Sequence, residues 1–376
     1  MTVGGAQLTL LKLAGAFHER GHHTTAVFFY DKDGLESAWQ QHYPFEVFSL
    51  GGWTAKSGVE RIWLLSQGLL RLYRYLYSHK IDILMSFTQH SNLLAIPIAY
   101  LNGVRGRVAS NRGRIENIPL WVERLHGKMI NSRLATCLIV NSPLLIKQAI
   151  EIEGVNPNKI RLIYNGVADE ILQEEGFDKQ RTTTRKALEV DETELMLISV
   201  GRLTHQKGHG YLLQAMPAIR ACIPKAKLFI VGDGPLREEL ENLTKQLGIQ
   251  REVQFLGTRT DVPNLLAAAD VFIHPSVSEG MPNALLEAMA VGLPCVVSAL
   301  DAVQDILQHE LNSLLVPPSD AVAMSKAVCR LLKDEKLRKV LGSQAQKLVR
   351  EQFSSQRMID QYEQLFNQIL NQQGTV

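Results

Sequence analysis

The sequence predicts an α/β protein of two doubly wound parallel-sheet domains facing a central cleft, and three observations lead there. At 376 residues the chain exceeds one ordinary core, so two domains of about 150 to 200 residues each are the natural division. Short apolar, β-branched runs alternate with longer helix-periodic stretches, which is the pattern of βα units around a parallel sheet. The pattern also runs twice, on either side of a charged stretch at 166–193 that contains EEGFDKQRTTTRK and lacks strong apolar periodicity. That stretch reads as the connector between a domain at 1–165 and a second at 166–353.

In the first half the strand candidates are TTAVFFY (24–30), FEVFSL (45–50), DILMSF (82–87), GRVAS (106–110), TCLIVN (136–141) and IRLIYN (160–165). In the second they are LMLISVG (195–201), KLFIVGDG (227–234), VQFLG (253–257), VFIHPS (271–276) and PCVVS (294–298). The segment IWLLSQGLLRLYRYLY (62–77) carries Gln67, Arg71 and Arg74 and reads as an amphipathic helix packed on its own domain rather than a membrane insertion. The tail at 354–376 reads as a closing helix that joins the first domain, with Met358, Tyr362, Leu365 and Ile369 on one face. Only Met1–Val3 precede Gly4 and Gly5, so the apolar strand that should open the first sheet is missing and the native start is expected upstream.

Composition excludes several classes. With 45% apolar and 21% charged residues the chain is neither disordered nor fibrous. No run of eighteen apolar residues and no secretory leader are visible, and the scattered Cys137, Cys222, Cys295 and Cys329 form no CxxC pair, so a cytoplasmic protein without a disulfide framework or zinc site is expected. Net charge is +2, yet residues 1–165 hold 18 Lys and Arg against 11 Asp and Glu, or +7, leaving −5 for the remainder. A basic first half suits anionic lipid headgroups or a phosphorylated acceptor. A nucleic-acid partner is not expected.

The chemistry concentrates in the second half. In LISVGRLTHQKGH (197–209) Arg202 and Lys207 follow a strand end and are flanked by Gly201 and Gly208. Two fixed cations beside flexible backbone suit a diphosphate, which Arg engages as a fork and Lys as a point charge. In HPSVSEGMPNALLEAMAVGLPCVVS (274–298) a strand gives way to a loop carrying Glu279, Gly280, Met281, Pro282 and Asn283, and then to a helix. Such a loop offers N–H groups and the positive end of a dipole to a phosphate. Glu279 in the loop and Glu287 in the helix suit two parts of one ligand, such as a sugar and a ribose. The GDG at 232–234 has a single carboxylate, so glycine geometry is its expected role rather than metal binding.

The segments GRLTHQKG and SEGMPNALLEAMAVGLPCVVS resemble those of the large retaining glycosyltransferase family built on two Rossmann-like domains, the GT-B architecture. The two glutamates separated by seven residues carry most of that resemblance. VGDGP at 231–235, FLG at 255–257, Gly4 and Gly5, and the strand order extend it over nearly the whole chain. The resemblance implies that Arg202 and Lys207 bind the donor diphosphate and stabilise the leaving nucleotide. Glu279 would then contact the transferred sugar and Glu287 the ribose. Gly280, Met281, Pro282 and Asn283 would present main-chain groups, the loop at Gly257 would border the base, and Gly4 and Gly5 would line the cleft from the opposite domain. It also implies transfer of a hexose-type sugar from a nucleotide diphosphate, UDP by expectation, with retained configuration and without metal or cofactor. The acceptor is expected to be a glycan or a polyprenyl-linked intermediate of cell-surface polysaccharide synthesis, at the inner face of the cytoplasmic membrane.

The first half offers acceptor-side candidates. His90 follows the DILMSF strand, with a structural role equally open to it. Where many relatives carry a His at the end of the next strand, this chain has Asn111 and Arg112. Arg112 and Arg114, with Arg105 and Arg107 upstream, are dense enough to suit an acceptor phosphate. Two other readings share these residues: a nucleotide-sugar epimerase or phosphorylase of the same architecture, and a catalytically silent nucleotide-sugar-binding subunit.

Overall fold

The computed structural model describes residues 5–53, 58–113, 118–172 and 177–372. The chain divides into unit 1, residues 1–165 with 357–376, and unit 2, residues 166–356.

Unit 1 opens with α1 (Gly5–Glu19), β1 (Thr25–Phe28), α2 (Glu36–His42), β2 (Glu46–Ser49), α3 (Val59–His79) and β3 (Ile83–Phe87). It continues through α4 (Gln89–Leu101), β4 (Gly106–Asn111), α5 (Leu120–Asn131), β5 (Cys137–Val140), α6 (Pro143–Gln148), a π turn at Ala149–Glu153 and β6 (Ile160–Leu162). Among the described residues its strand pairs are all parallel, in two sheets, β1-β2 and β3-β4-β5-β6. Helix α1 touches both β1 and β3. On one face α3 and α4 close a core of Leu72, Leu76, Ala95 and Ala99 against Leu50 and Phe48. Residues 1–4, too few to hold the strand expected to open the first sheet, lie outside those described.

Unit 2 begins with α7 (Asp169–Leu172), α8 (Phe177–Ala187), β7 (Leu195–Val200), α9 (His209–Cys222), β8 (Ala226–Val231), α10 (Arg237–Gln246) and β9 (Val253–Gly257). Then come α11 (Val262–Ala268), β10 (Val271–His274), α12 (Asn283–Ala290), β11 (Cys295–Ser298), α13 (Asp301–Gln304), β12 (Leu314–Val316), α14 (Ala321–Lys333) and α15 (Glu335–Gln352). The last helix, α16 (Ser355–Gln372), carries the chain back into unit 1. Its expected face is the buried one: Met358, Tyr362, Leu365 and Ile369 pack with Phe17, Phe87 and Val108.

The unit 2 sheet is parallel, in the order β12-β11-β10-β7-β8-β9. Its central strands bury both faces, which is why LMLIS and VFIH read as unbroken apolar runs. Strands β7 and β10 lie side by side, yet their following connections diverge, β7 leading toward β8 and β10 toward β11. That is the topological switch point of a doubly wound sheet, where the loops at the carboxyl ends separate and leave a crevice.

The stretch taken for a connector differs from its reading, because α7 and α8 occupy it. Arg181 donates to the carbonyls of Ala268 and Ala269 at 2.8 and 2.7 Å and to Asp270 at 2.7 Å, while the buried Arg185 reaches Asp191 O and Glu194 O. These arginines satisfy the carbonyls that end α11, so α8 is fixed by charge-assisted bonds rather than by an apolar stripe. Periodicity does not see such a helix. It also does not see β12, whose apolar run is three residues long.

Candidate functional site

The two loops singled out in the sequence flank the switch point. After β7 the chain passes Gly201 and Arg202, makes one 3-10 turn at His205–Lys207, and enters α9. After β10 it runs through Ser276 and Glu279 to α12. Two backbone contacts stitch the loops together. Val277 N–H donates to Gln206 O at 2.8 Å, and Gly208 packs so tightly that a Cβ there would sit 2.0 Å from Pro275 O.

This approach brings Lys207 onto Glu279. The ammonium Nζ lies 2.5 Å from Oε1, and the Lys207 stem crosses directly over Gly201, where a Cβ would be 3.3 Å from Cδ. Ser276 Oγ donates to the same carboxylate oxygen at 2.7 Å. His274 Nε2 stands 3.2 Å from it, without the alignment of a hydrogen bond. Burial alone would raise the Glu279 carboxyl, but His274 and Lys207 outweigh it and hold the group down at about 2. Glu279 is therefore an anion at neutral pH, 10% exposed, beside an ammonium that is 25% exposed.

Arg202 is exposed and makes no side-chain bond among the described residues. Gly280, Met281, Pro282 and Asn283 form the entry to α12, with Met281 and Pro282 buried, and Glu287 stands half-buried one turn into that helix. Gly257 ends β9, and its carbonyl accepts from Gly232 N–H at 2.8 Å. Gly232 takes φ +129 with its Cβ position 2.1 Å from Gly201 O, so the GDG turn is geometric support for the Lys207 loop.

In unit 1, Gly5 is the first residue of α1, and His90 is exposed in the first turn of α4 at the carboxyl end of β3. Gly4 and Arg114 lie outside the described residues. The fork of Arg112 does not stand out toward solvent as a headgroup site would need. One arm donates to Asn165 Oδ1 at 2.7 Å, the other to the Tyr362 hydroxyl, and the guanidinium lies over the Phe87 ring at 5.0 Å. Arg112 thus ties β4 to α16.

Sequence reasoning passed over four residues. His274 and Ser276 sit in a strand end whose apolar pattern signals burial only, and His209 opens α9, 2% exposed, with no partner for Nδ1. His126 is fully buried in unit 1, its Nδ1 2.6 Å from Glu153, which also accepts from Asn111 at 3.1 Å. The HPS tripeptide directly before the Glu279 loop was the available signal for the first pair.

His209 makes a testable contribution to stability. Burial first, then the charges of His274 and Lys207, depress it from 6.5 to about 3. Below pH 6.5 the unfolded chain binds a proton that the folded one refuses, so stability is complete above that pH and is lost as pH falls toward 3. Between pH 6.5 and about 4.5 the loss should be about 2 to 3 kcal/mol, and His209→Gln should flatten that slope in urea titrations. An unchanged slope in the variant would remove His209 from the account.

The model for Glycosyltransferase Family 4 matches residues 3–171, and that for Glycosyl transferases group 1 matches residues 180–348. An uncharacterised glycosyltransferase of Methanocaldococcus jannaschii is 34% identical over 61% of this chain and 60% of its own length, so the chain spans less than two thirds of that relative. The UDP-Gal:alpha-D-GlcNAc-diphosphoundecaprenol alpha-1,3-galactosyltransferase of Escherichia coli is 28% identical over 80% of this chain and 79% of its own. Among solved structures, the HepE protein of Anabaena in complex with UDP and glucose superposes with a TM-score of 0.83 at 22% identity, covering 97% of this chain and 96% of that one. That likeness establishes the GT-B fold. Matched in its first half by the one model and in its second by the other, the chain belongs to the group 1, family 4-like glycosyltransferases.

Proposed function

We propose that this protein transfers a hexose-type sugar from a UDP-linked donor to an acceptor hydroxyl, with retained anomeric configuration and without a divalent metal. The observation that carries the reading is the contact of Lys207 with Glu279 where the sheet's connections diverge. A cation and a carboxylate 2.5 Å apart suit the two ends of a sugar phosphate: the ammonium for the phosphate oxygen, the carboxylate for sugar hydroxyls.

Arg202 and Lys207 then neutralise the charge that develops on the leaving diphosphate, where preorganised cations act most strongly. Glu279 orients the sugar, Glu287 receives the ribose hydroxyls, and the loop at Gly280–Asn283 presents N–H groups at the start of α12. In the transfer step the bond from the anomeric carbon to the phosphate oxygen breaks and the acceptor oxygen bonds that carbon from the same face. The acceptor's proton passes to the departing phosphate oxygen, so no separate base is required. The E. coli relative names a lipid diphosphate acceptor and the Anabaena structure holds UDP and glucose, which favours a glycan or polyprenyl-linked acceptor at a membrane surface here.

A panel of UDP-, GDP- and ADP-sugars tested by thermal unfolding checks the donor. At a hundred times its dissociation constant the true donor should stabilise the protein by about 2.7 kcal/mol, and a UDP-sugar should be the one that does. Should none of the panel move the melting temperature, the donor assignment fails.

A further inference from the structure

All four cysteines are free, but the fold treats them in two ways. Cys137 and Cys295 open the buried strands β5 and β11, where burial pushes both thiols up, Cys137 to about 11. Cys222 and Cys329 are only half-buried, and they stand on neighbouring helices. Cys222 is the last residue of α9, and Cys329 lies one turn before the end of α14. The two helices pack side by side, α9 through Leu212, Met216 and Ile219 and α14 through Met324, Val328 and Leu331, in one core against the unit 2 sheet. At the rim of that core Cys329 appears together with Ile223, the residue after Cys222. The packing of these helices sets one thiol against the other, and the two share a hydrogen bond.

The two sulfurs are unlike. The hydrogen bond from Cys329 lowers the Cys222 thiol below its ordinary value, burial opposes it, and the Lys333 ammonium, one helical turn beyond Cys329, lowers it further. Cys329 goes the other way, raised to about 12 by burial and then by the neighbouring sulfur. The carbonyl end of α9 disfavours an anion, so Cys222 owes its thiolate character to those two donors. A nucleophilic sulfur thus lies beside a second thiol that keeps its proton, which is the arrangement of an attacking and a resolving cysteine. A metal would need more ligands, and among the described residues no three His, Cys, Asp or Glu side chains come together to hold one.

We infer that Cys222 and Cys329 form a modification site, a thiol pair that a hydroperoxide closes into a disulfide joining α9 to α14. In the first step the Cys222 thiolate attacks one peroxide oxygen. The S–O bond forms as the O–O bond breaks, Cys222 becomes a sulfenic acid, and the departing oxygen takes up the proton that the thiol had released. In the second, the Cys329 sulfur attacks the Cys222 sulfur. The S–S bond forms as the S–O bond breaks, and the Cys329 proton leaves with that oxygen as water. The sulfurs lose two electrons and the peroxide gains them. Cys222 ends α9 about 20 Å along the helix from its start beside Lys207, so the cross-link leaves the donor loops in place. The inference rests on no reading of the transfer reaction.

Peroxide titration of the whole protein tests it. After full reduction and exposure to a small excess of hydrogen peroxide, the free thiols should fall from four to two, and the intact mass by two hydrogens. Trypsin should then release ACIPK (221–225) joined to AVCR (327–330), a species that dithiothreitol splits. Cys222 should react about tenfold faster than Cys137 or Cys295, and Lys333→Gln should slow it about threefold. Cys329→Ala, which keeps that rim apolar, should stop at the sulfenic acid and be trapped by dimedone, whereas Cys222→Ser should keep its remaining thiols reduced. Because the bond closes a loop of about a hundred residues, the oxidised protein should melt above the reduced one. Circular dichroism of the two cysteine variants separates lost chemistry from lost folding. Survival of all four thiols in the wild type, a cross-link between chains rather than within one, or dimedone labelling of the wild type as strong as that of Cys329→Ala would overturn the inference. A protein that forms the joined peptides yet binds no nucleotide sugar would leave it standing and count against the donor reading alone.

Discussion

Lys207→Ala should slow sugar transfer by about 30- to 1000-fold, equivalent to about 2 to 4 kcal/mol of barrier, while the folded protein persists. The argument rests on what the ammonium does before any donor arrives. It is 25% exposed, with one contact to Glu279 and its stem laid over Gly201, so it is held in place and still open on one side. A cation fixed in that way needs no reorganisation when charge develops on the leaving phosphate, which is the condition under which an electrostatic group acts mostly on the transition state. Its loss should therefore appear in kcat more than in KM. Folding is protected because Glu279 keeps Ser276 at 2.7 Å, although its carboxyl should rise from about 2 once the ammonium is gone. Arg202→Ala should cost a similar factor, and the double variant less than the product of the two, since in the proposed function both cations serve one diphosphate. Turnover near wild type in the Lys207 variant would end the assignment of the donor site to these loops.

The parts of this arrangement that were legible in the sequence are those that local chemistry writes. Strands such as LMLISV and VFIH announce themselves because both faces are buried, and the loops at 201–208 and 276–283 because glycines, cations and a carboxylate cluster at strand ends. What was not legible depends on distant partners. Lys207 meets Glu279 across 72 residues, and only the juxtaposition of β7 and β10 makes His274 and Ser276 part of the same site. The arginine density at 105–114 was visible, but the direction of Arg112 is set by Tyr362, 250 residues away, and a side chain that looked available to a ligand braces the closing helix. Helix α8 escaped because it is docked through Arg181 and Arg185 onto backbone carbonyls, a mode that leaves no apolar period to read.

Gly208→Ala should be among the most damaging single methyls in unit 2, lowering stability by about 2 to 5 kcal/mol and abolishing donor binding in whatever fraction still folds. Two independent costs add at this position. The residue sits at φ +64, where an L side chain is strained, and its Cβ would stand 2.0 Å from the carbonyl oxygen of Pro275, a backbone atom that cannot swing aside as a side chain would. Relief requires the loop after β7 to lift away from the loop after β10, which lengthens the Val277 to Gln206 hydrogen bond and draws Lys207 off Glu279. The same methyl at Gly210 meets nothing within 4 Å, so Gly210→Ala, two residues on in α9, is the matched control and should melt like the wild type. If Gly208→Ala unfolds at the wild-type urea midpoint and still binds a UDP-sugar, then the close approach of these two loops is not what holds the cation and the carboxylate together, and the site must be assembled by other contacts.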